Sequence, residues 1–93
     1  MITKNQLFKN LSVPEYPIDV VLDTDAFNEI DDQYAISYLL KSDEKLNVKA
    51  IYAAPFFNEN STSPKNGMER SYDEIIKLLS LMNVNGLENS VYK

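Results

Sequence analysis

The chain predicts an α/β fold, the strand-helix-strand-helix portion of an open, mainly parallel sheet, and three observations carry that expectation. The nearly unbroken apolar run Ile18-Asp19-Val20-Val21-Leu22 reads as a parallel strand covered on both faces. Ala35, Ile36, Leu39 and Leu40 then recur at helical spacing, and a second apolar run, Val48-Lys49-Ala50-Ile51-Tyr52-Ala53, follows and is stopped by Pro55. Met68, Tyr72, Ile75, Ile76, Leu79 and Met82 finally mark one face of a longer helix.

Each element has a local reason. Thr3 followed by Gln6 resembles a capping box, and Leu7, Phe8 and Leu11 form a short stripe, so residues 4–11 read as a small helix. Pro14 and Pro17 bias their predecessors away from helix, which makes 12–17 an extended linker. The strand at 18–22 follows, with Asp19 near its entry. Asp31 and Asp32 sit where a helix N-terminus favours negative charge, opening a helix over about 31–41. A polar connection leads to the second strand at 48–53. The Asn-, Ser- and Pro-rich stretch 58–67 reads as a loop in which Ser63-Pro64 can start a helical turn. The last helix covers about 67–82 and stops at Asn83-Val84-Asn85-Gly86.

Organisation follows from length. A chain of 93 residues makes one small domain at most, divided here into an N-terminal helix and linker (1–17) and an α/β part (18–93). Two parallel strands leave open edges and a half-covered sheet, so residues 18–93 are expected to be the leading, incomplete part of a larger α/β domain, ending just before another strand.

The charge is concentrated. Asp23, Asp25, Glu29, Asp31 and Asp32 fall within ten residues, and without them the chain's 14 acids and 9 bases would balance. A net charge of −5 that resides in one segment has the character of a site, not of a generally acidic composition. The absence of a basic patch argues against nucleic-acid binding. No apolar stretch suits a signal peptide or a membrane span, and with no cysteine the expected location is the cytoplasm.

In open α/β sheets, ligands gather beyond the carboxyl ends of the strands. Asp23 and Asp25 occupy that end of the first strand, and Phe56 to Asn60 that end of the second. Crowded carboxylates repel unless a cation or a substrate gathers them, and oxygen ligands favour calcium or magnesium. An EF-hand loop is excluded: Phe27 stands where an oxygen donor is needed, Asn28 replaces the turn glycine, and no glutamate closes the loop. Taken singly, each acid also has a plainer role as a helix cap or strand end.

Val20-Val21-Leu22-Asp23-Thr24-Asp25, followed by Asp31-Asp32, resembles the N-terminal signature of the inosine-uridine-preferring nucleoside hydrolases. These calcium-dependent enzymes cleave the N-glycosidic bond of ribonucleosides to ribose and free base, a step of purine and pyrimidine salvage. Their usual pattern is Asp-Thr-Asp-Pro-Gly-x-Asp-Asp. Here Ala26 to Ile30 replaces the Pro-Gly-x stretch, so the turn is longer and lacks its glycine, as in a divergent branch. The likeness spans about residues 18–82, with the acidic segment its diagnostic part.

The resemblance implies a nucleoside hydrolase-like sheet and roles residue by residue. Asp25 corresponds to the carboxylate that touches calcium and takes a proton from water, and Asp32 to the bidentate calcium ligand. Asp31 corresponds to the ribose-gripping carboxylate, Asp23 to a supporting aspartate behind the ligands, and Asn58 to the asparagine near metal and ribose. Asn28, in the lengthened turn, is a further candidate for ribose, or a simple turn former. The implied partner is a small-molecule ribonucleoside, and a homo-oligomer is among the assemblies allowed for the parent enzyme. Because the family's remaining calcium ligands come from much later segments, these 93 residues alone are expected to be nearly inactive.

Two rival readings remain open at this point. A phosphatase-like hydrolase would use Asp23 as nucleophile and Asp25 as acid, and a non-catalytic module would only bind a divalent cation. Tyr34, Tyr38, Tyr52, Phe56 and Phe57 are expected mostly in the core, with Phe56-Phe57 on the ligand rim. Glu69, Arg70, Asp73 and Glu74 are expected on a solvated helix face, with an Arg70–Glu74 pair offsetting repulsion between Glu69 and Asp73.

Overall fold

The computed structural model describes residues 1–15 and 17–93 and is an α/β fold. The elements in order are α1 (Lys4–Leu11), β1 (Ile18–Thr24), α2 (Ile30–Lys41), β2 (Leu46–Ala53), α3 (Pro64–Leu81), a short 3₁₀ turn (Glu88–Ser90) and β3 (Val91–Tyr92). The strands form one parallel sheet in the order β1-β2-β3. A third strand thus begins within the chain, where the sequence reading stopped just short of one. Of the 12–17 linker, the part at Tyr16 lies outside the described residues.

Caps set the helix starts. The Thr3 hydroxyl accepts the Gln6 amide at 3.1 Å and opens α1. Ser63 does the same for the Asn66 amide at 3.0 Å, with Pro64 in the first helical turn, so α3 starts three residues before the expected 67. The apolar period begins only at Met68, and the polar first turn is invisible to it. Asn83, in the left-handed region at φ 56°, ends α3 as expected.

Helices α2 and α3 pack side by side on one face of the sheet. Ile36 of α2, Ile51 and Ala53 of β2, Ile75 and Leu79 of α3, Val91 of β3 and Ala26 form the core. The Gln33 amide of α2 donates to Glu74 of α3 at 2.8 Å beside that core. Leu22 packs against the core and Thr24 is buried, so by strand alternation Asp19, Val21 and Asp23 occupy the other face. That face is open, with Val21 60% exposed. The expectation that β1 is covered on both faces is therefore corrected: an apolar run records the capacity for burial, and β1 is an edge strand with helices on one side only.

The aromatic expectation is corrected for the same reason. Phe56 is buried, but Tyr34 (70%), Tyr38 (79%) and Phe57 (68%) are exposed, and Tyr52 and Tyr92 stack on the open face with centroids 5.2 Å apart. Tyr34 and Tyr38 lie on the side of α2 turned from the core, where Tyr38 lines a shallow groove with Val13, Pro14 and Ile18. On α3, Arg70 pairs with neither acid. Its Nε donates to Asn66 at 3.1 Å and its guanidinium lies over the Phe27 ring, while Glu69 pairs with Lys93 at 2.6 Å.

Gly67 brings α3 against the loop that follows β2. A methyl group there would lie 2.8 Å from the Phe56 nitrogen and closer still to its carbonyl oxygen, and backbone cannot yield as a flexible side chain can. Gly67→Ala is expected to cost about 1–3 kcal/mol by overpacking. Chemical denaturation checks this, and unchanged stability would mean that the loop moves aside freely.

Candidate functional site

The acidic turn sits at the carboxyl end of β1, wedged between the start of α2 and the loop after β2. Its backbone is closed by the Asn28 amide donating to the Asp25 carbonyl at 2.8 Å. Among the described residues only Asn83 and Gly86 have positive φ, so no residue of this turn needs a glycine. The turn reverses the chain through ordinary backbone conformations. Buried Ser71 of α3 accepts the Phe27 amide at 3.4 Å, and the Phe27 ring stacks on Phe56. The turn is thereby pinned to α3 and to the second loop.

Two of the five acids come together. Thr24, buried at the strand end, donates its hydroxyl to the Asp32 carboxylate at 2.8 Å, and its carbonyl accepts the Ala54 amide at 2.8 Å. The neighbouring Asp25 carboxylate is the main cause that holds the Asp32 carboxyl above its ordinary 3.8. Partial burial adds to this, the Thr24 hydroxyl opposes it, and the charges of Asp25 and Asp31 push the same way. Asn28 steadies the pair by donating its side-chain amide to Asp25 at 3.0 Å.

The loop after β2 reaches the same place. The Asn58 amide donates to the Asn28 side-chain oxygen, and the Asn60 amide donates to the Asn28 carbonyl at 3.3 Å. Within the loop, Asn58 Oδ1 accepts the Asn60 amide at 2.8 Å and Ser61 Oγ donates to the Phe56 carbonyl at 3.0 Å. Asp25, Asn28 and Asn58 are therefore linked by hydrogen bonds, with Asp32 next to Asp25. Asn28 is the hub, more than a turn former.

Asp31 and Asp23 stand apart. Asp31 is exposed, and its carboxylate accepts the neighbouring Asp32 amide at 3.1 Å, a helix-start contact. Asp23 is exposed within β1, and its side chain joins none of the hydrogen bonds that link the turn, among the described residues. It lies inside the strand because β1 runs to Thr24, two residues beyond the expected end. Sequence reasoning missed Thr24, Asn60 and Ser71. A threonine between two aspartates and the Gly67/Ser71 pair of small residues one helical turn apart were the available signals.

Two neighbouring carboxylates and the Thr24 hydroxyl bring oxygen atoms together, while Asn28 turns its NH2 to Asp25 and Asn58 its NH2 to Asn28. Such a set fits a hard divalent cation, and the Asp25–Asp32 contact calls for either a cation or a proton. No group of three or more His, Cys, Asp or Glu that could hold a metal ion converges among the described residues.

The same contact sets a pH dependence. With Asp32 holding its proton more tightly in the fold than in the unfolded chain, its contribution is least unfavourable below the ordinary carboxylate range. Stability falls as pH rises from 3.8 through the raised folded value, because the fold must then ionise Asp32 beside Asp25. Asp25→Asn is expected to relieve the repulsion and stabilise the metal-free chain at neutral pH by about 0.5–1 kcal/mol. Urea melts at pH 4 and pH 7 check it, and destabilisation of the variant at pH 7 would contradict the assigned contact.

Comparison with protein-family models, with curated proteins and with solved structures finds no match. Among the described residues, no helix is long and apolar enough to cross a membrane.

Proposed function

We propose that this chain carries the calcium-binding and ribose-binding corner of a divergent nucleoside hydrolase, a cytoplasmic enzyme that cleaves ribonucleosides to ribose and free base. The observation that carries the reading is the Asp25–Asp32 contact, braced by Thr24 and Asn28, at the carboxyl rim of a parallel sheet. Those are the two positions to which the acidic signature assigns the metal. Asn58, tied to Asn28, supports it from the second strand's loop.

In this reading Asp25 and Asp32 would hold calcium, with Asn58 linked to them through Asn28. Bound calcium supplies acidification and positioning of the attacking water. Asp25 would be the base for an attacking water, and Asn28 keeps the Asp25 carboxylate aimed by donating to it. Thr24 fixes Asp32 in the same way. Positive charge grows on the ribose ring as the glycosidic bond breaks, and the nearby carboxylates oppose it electrostatically. Asp31, exposed at the start of α2, would exchange the Asp32 amide for ribose hydroxyls, and Asn28 and Asn58 would offer further amide contacts.

The reading outranks a phosphatase-like centre because that chemistry needs Asp23 and Asp25 at one centre, whereas Asp23 takes no part in the hydrogen bonds around Asp25. Ribose binding separates the hydrolase reading from a cation-only module. In millimolar calcium, ribose is expected to perturb the NMR amide resonances of Asn28, Asp31 and Asn58. Calcium binding with no response to ribose would favour the module and overturn the proposal.

A further inference from the structure

We infer that Asn85 is a modification site: its side-chain amide converts without an enzyme to aspartate and isoaspartate, and the Glu88 carboxylate is the base that promotes the conversion. Both glycines of the chain, Gly67 and Gly86, follow an asparagine. An Asn-Gly pair is the sequence most open to this chemistry, because a residue without Cβ leaves its own nitrogen unhindered and its backbone free to turn. With the same pair present twice, the surroundings decide which one reacts.

Asn66-Gly67 is locked in the first turns of α3. The Gly67 amide donates to the Ser63 carbonyl at 2.9 Å, and Asn66 Oδ1 accepts both the Thr62 amide at 3.0 Å and Arg70 Nε at 3.1 Å. Gly67 is buried against the Phe56 backbone, so no local opening is available to it. Helical backbone keeps the asparagine side chain away from the nitrogen that follows.

Asn85-Gly86 is the opposite case. It lies in the loop between α3 and the 3₁₀ turn, both residues are exposed, and a Cβ at Gly86 would meet nothing within 4 Å. The Gly86 amide nitrogen, which is the nucleophile of the conversion, donates to the Glu88 carboxylate at 2.9 Å. A carboxylate in that place takes the amide proton as the nitrogen attacks, so no free amide anion has to form.

The Gly86 nitrogen bonds to Asn85 Cγ and gives its proton to Glu88. The Cγ–Nδ2 bond then breaks, and Nδ2 leaves as ammonia with the proton that Glu88 returns. Water opens the resulting cyclic imide at either carbonyl. One opening leaves aspartate, and the other leaves an isoaspartyl link that lengthens the main chain by one carbon between α3 and β3.

Incubation of the 93-residue chain at neutral pH, with peptide mapping by mass spectrometry that separates the two isomers, tests this. Conversion at Asn85 is expected to outpace that at Asn66 by about a hundredfold or more, and Glu88→Gln, which keeps an acceptor but removes the base, to slow it about tenfold. In urea that unfolds the chain, the two asparagines are expected to convert at similar rates, since the fold is what distinguishes them. Similar rates in the folded chain, no conversion at Asn85, a Glu88→Gln rate equal to the parent's, or a preference for Asn85 that survives unfolding would each overturn the inference.

Discussion

Replacing Asp25 with alanine, in a chain that supplies the rest of the calcium shell, is expected to lower ribose release from nucleosides by about a thousandfold or more. Two losses combine. On the proposed reading the substitution removes a calcium ligand and the base for the attacking water, and it leaves the Asn28 amide without its 3.0 Å acceptor. Asp25→Asn separates these effects, since an amide oxygen still binds calcium weakly but cannot take a proton. It is expected to retain partial calcium affinity with turnover as low as that of the alanine variant. Ribose release near the parent rate from either variant would remove Asp25 from the chemistry.

The second large effect concerns Asp32. Asp32→Ala is expected to weaken calcium binding by about a hundredfold or more, because a carboxylate oriented by a buried hydroxyl is the better-held half of the pair. Thermal unfolding in millimolar calcium reads this out: the parent chain gains stability by mass action on a site absent from the unfolded state, and the variant gains none. Thr24→Val, which keeps the shape but removes the 2.8 Å hydrogen bond, should give an intermediate loss of about tenfold. A calcium-induced stabilisation unchanged by Asp32→Ala would place the ion elsewhere.

How much of this was legible in the sequence differs between fold and site. Periodicity identified both long strands and all three helices, because Ile51, Ile75 and Leu79 recur where a one-sided core needs them. It misread β1 and the tyrosines of α2. Periodicity reports which side chains can be buried, while an edge strand's surroundings depend on what lies beside it. At the site, the acids were conspicuous by count, but count did not sort them. Asp25 and Asp32 meet because Thr24 ends the strand just before a turn that returns α2 over it. Asp31 accepts its own helix's amide instead, a local hydrogen bond that no spacing rule separates from a ligand position. The role of Asn28 emerged only from Asn58 and Asn60, which lie 30 and 32 residues further along the chain.

Calcium titration of isotope-labelled residues 1–93, followed by NMR, tests the central claim most directly. Saturable shifts confined to amides of Thr24 to Asp32 and Asn58 to Asn60, lost in Asp32→Ala, are the predicted result. Shifts scattered over the acidic surface without saturation, or unchanged by that substitution, would contradict a calcium site built on Asp25 and Asp32.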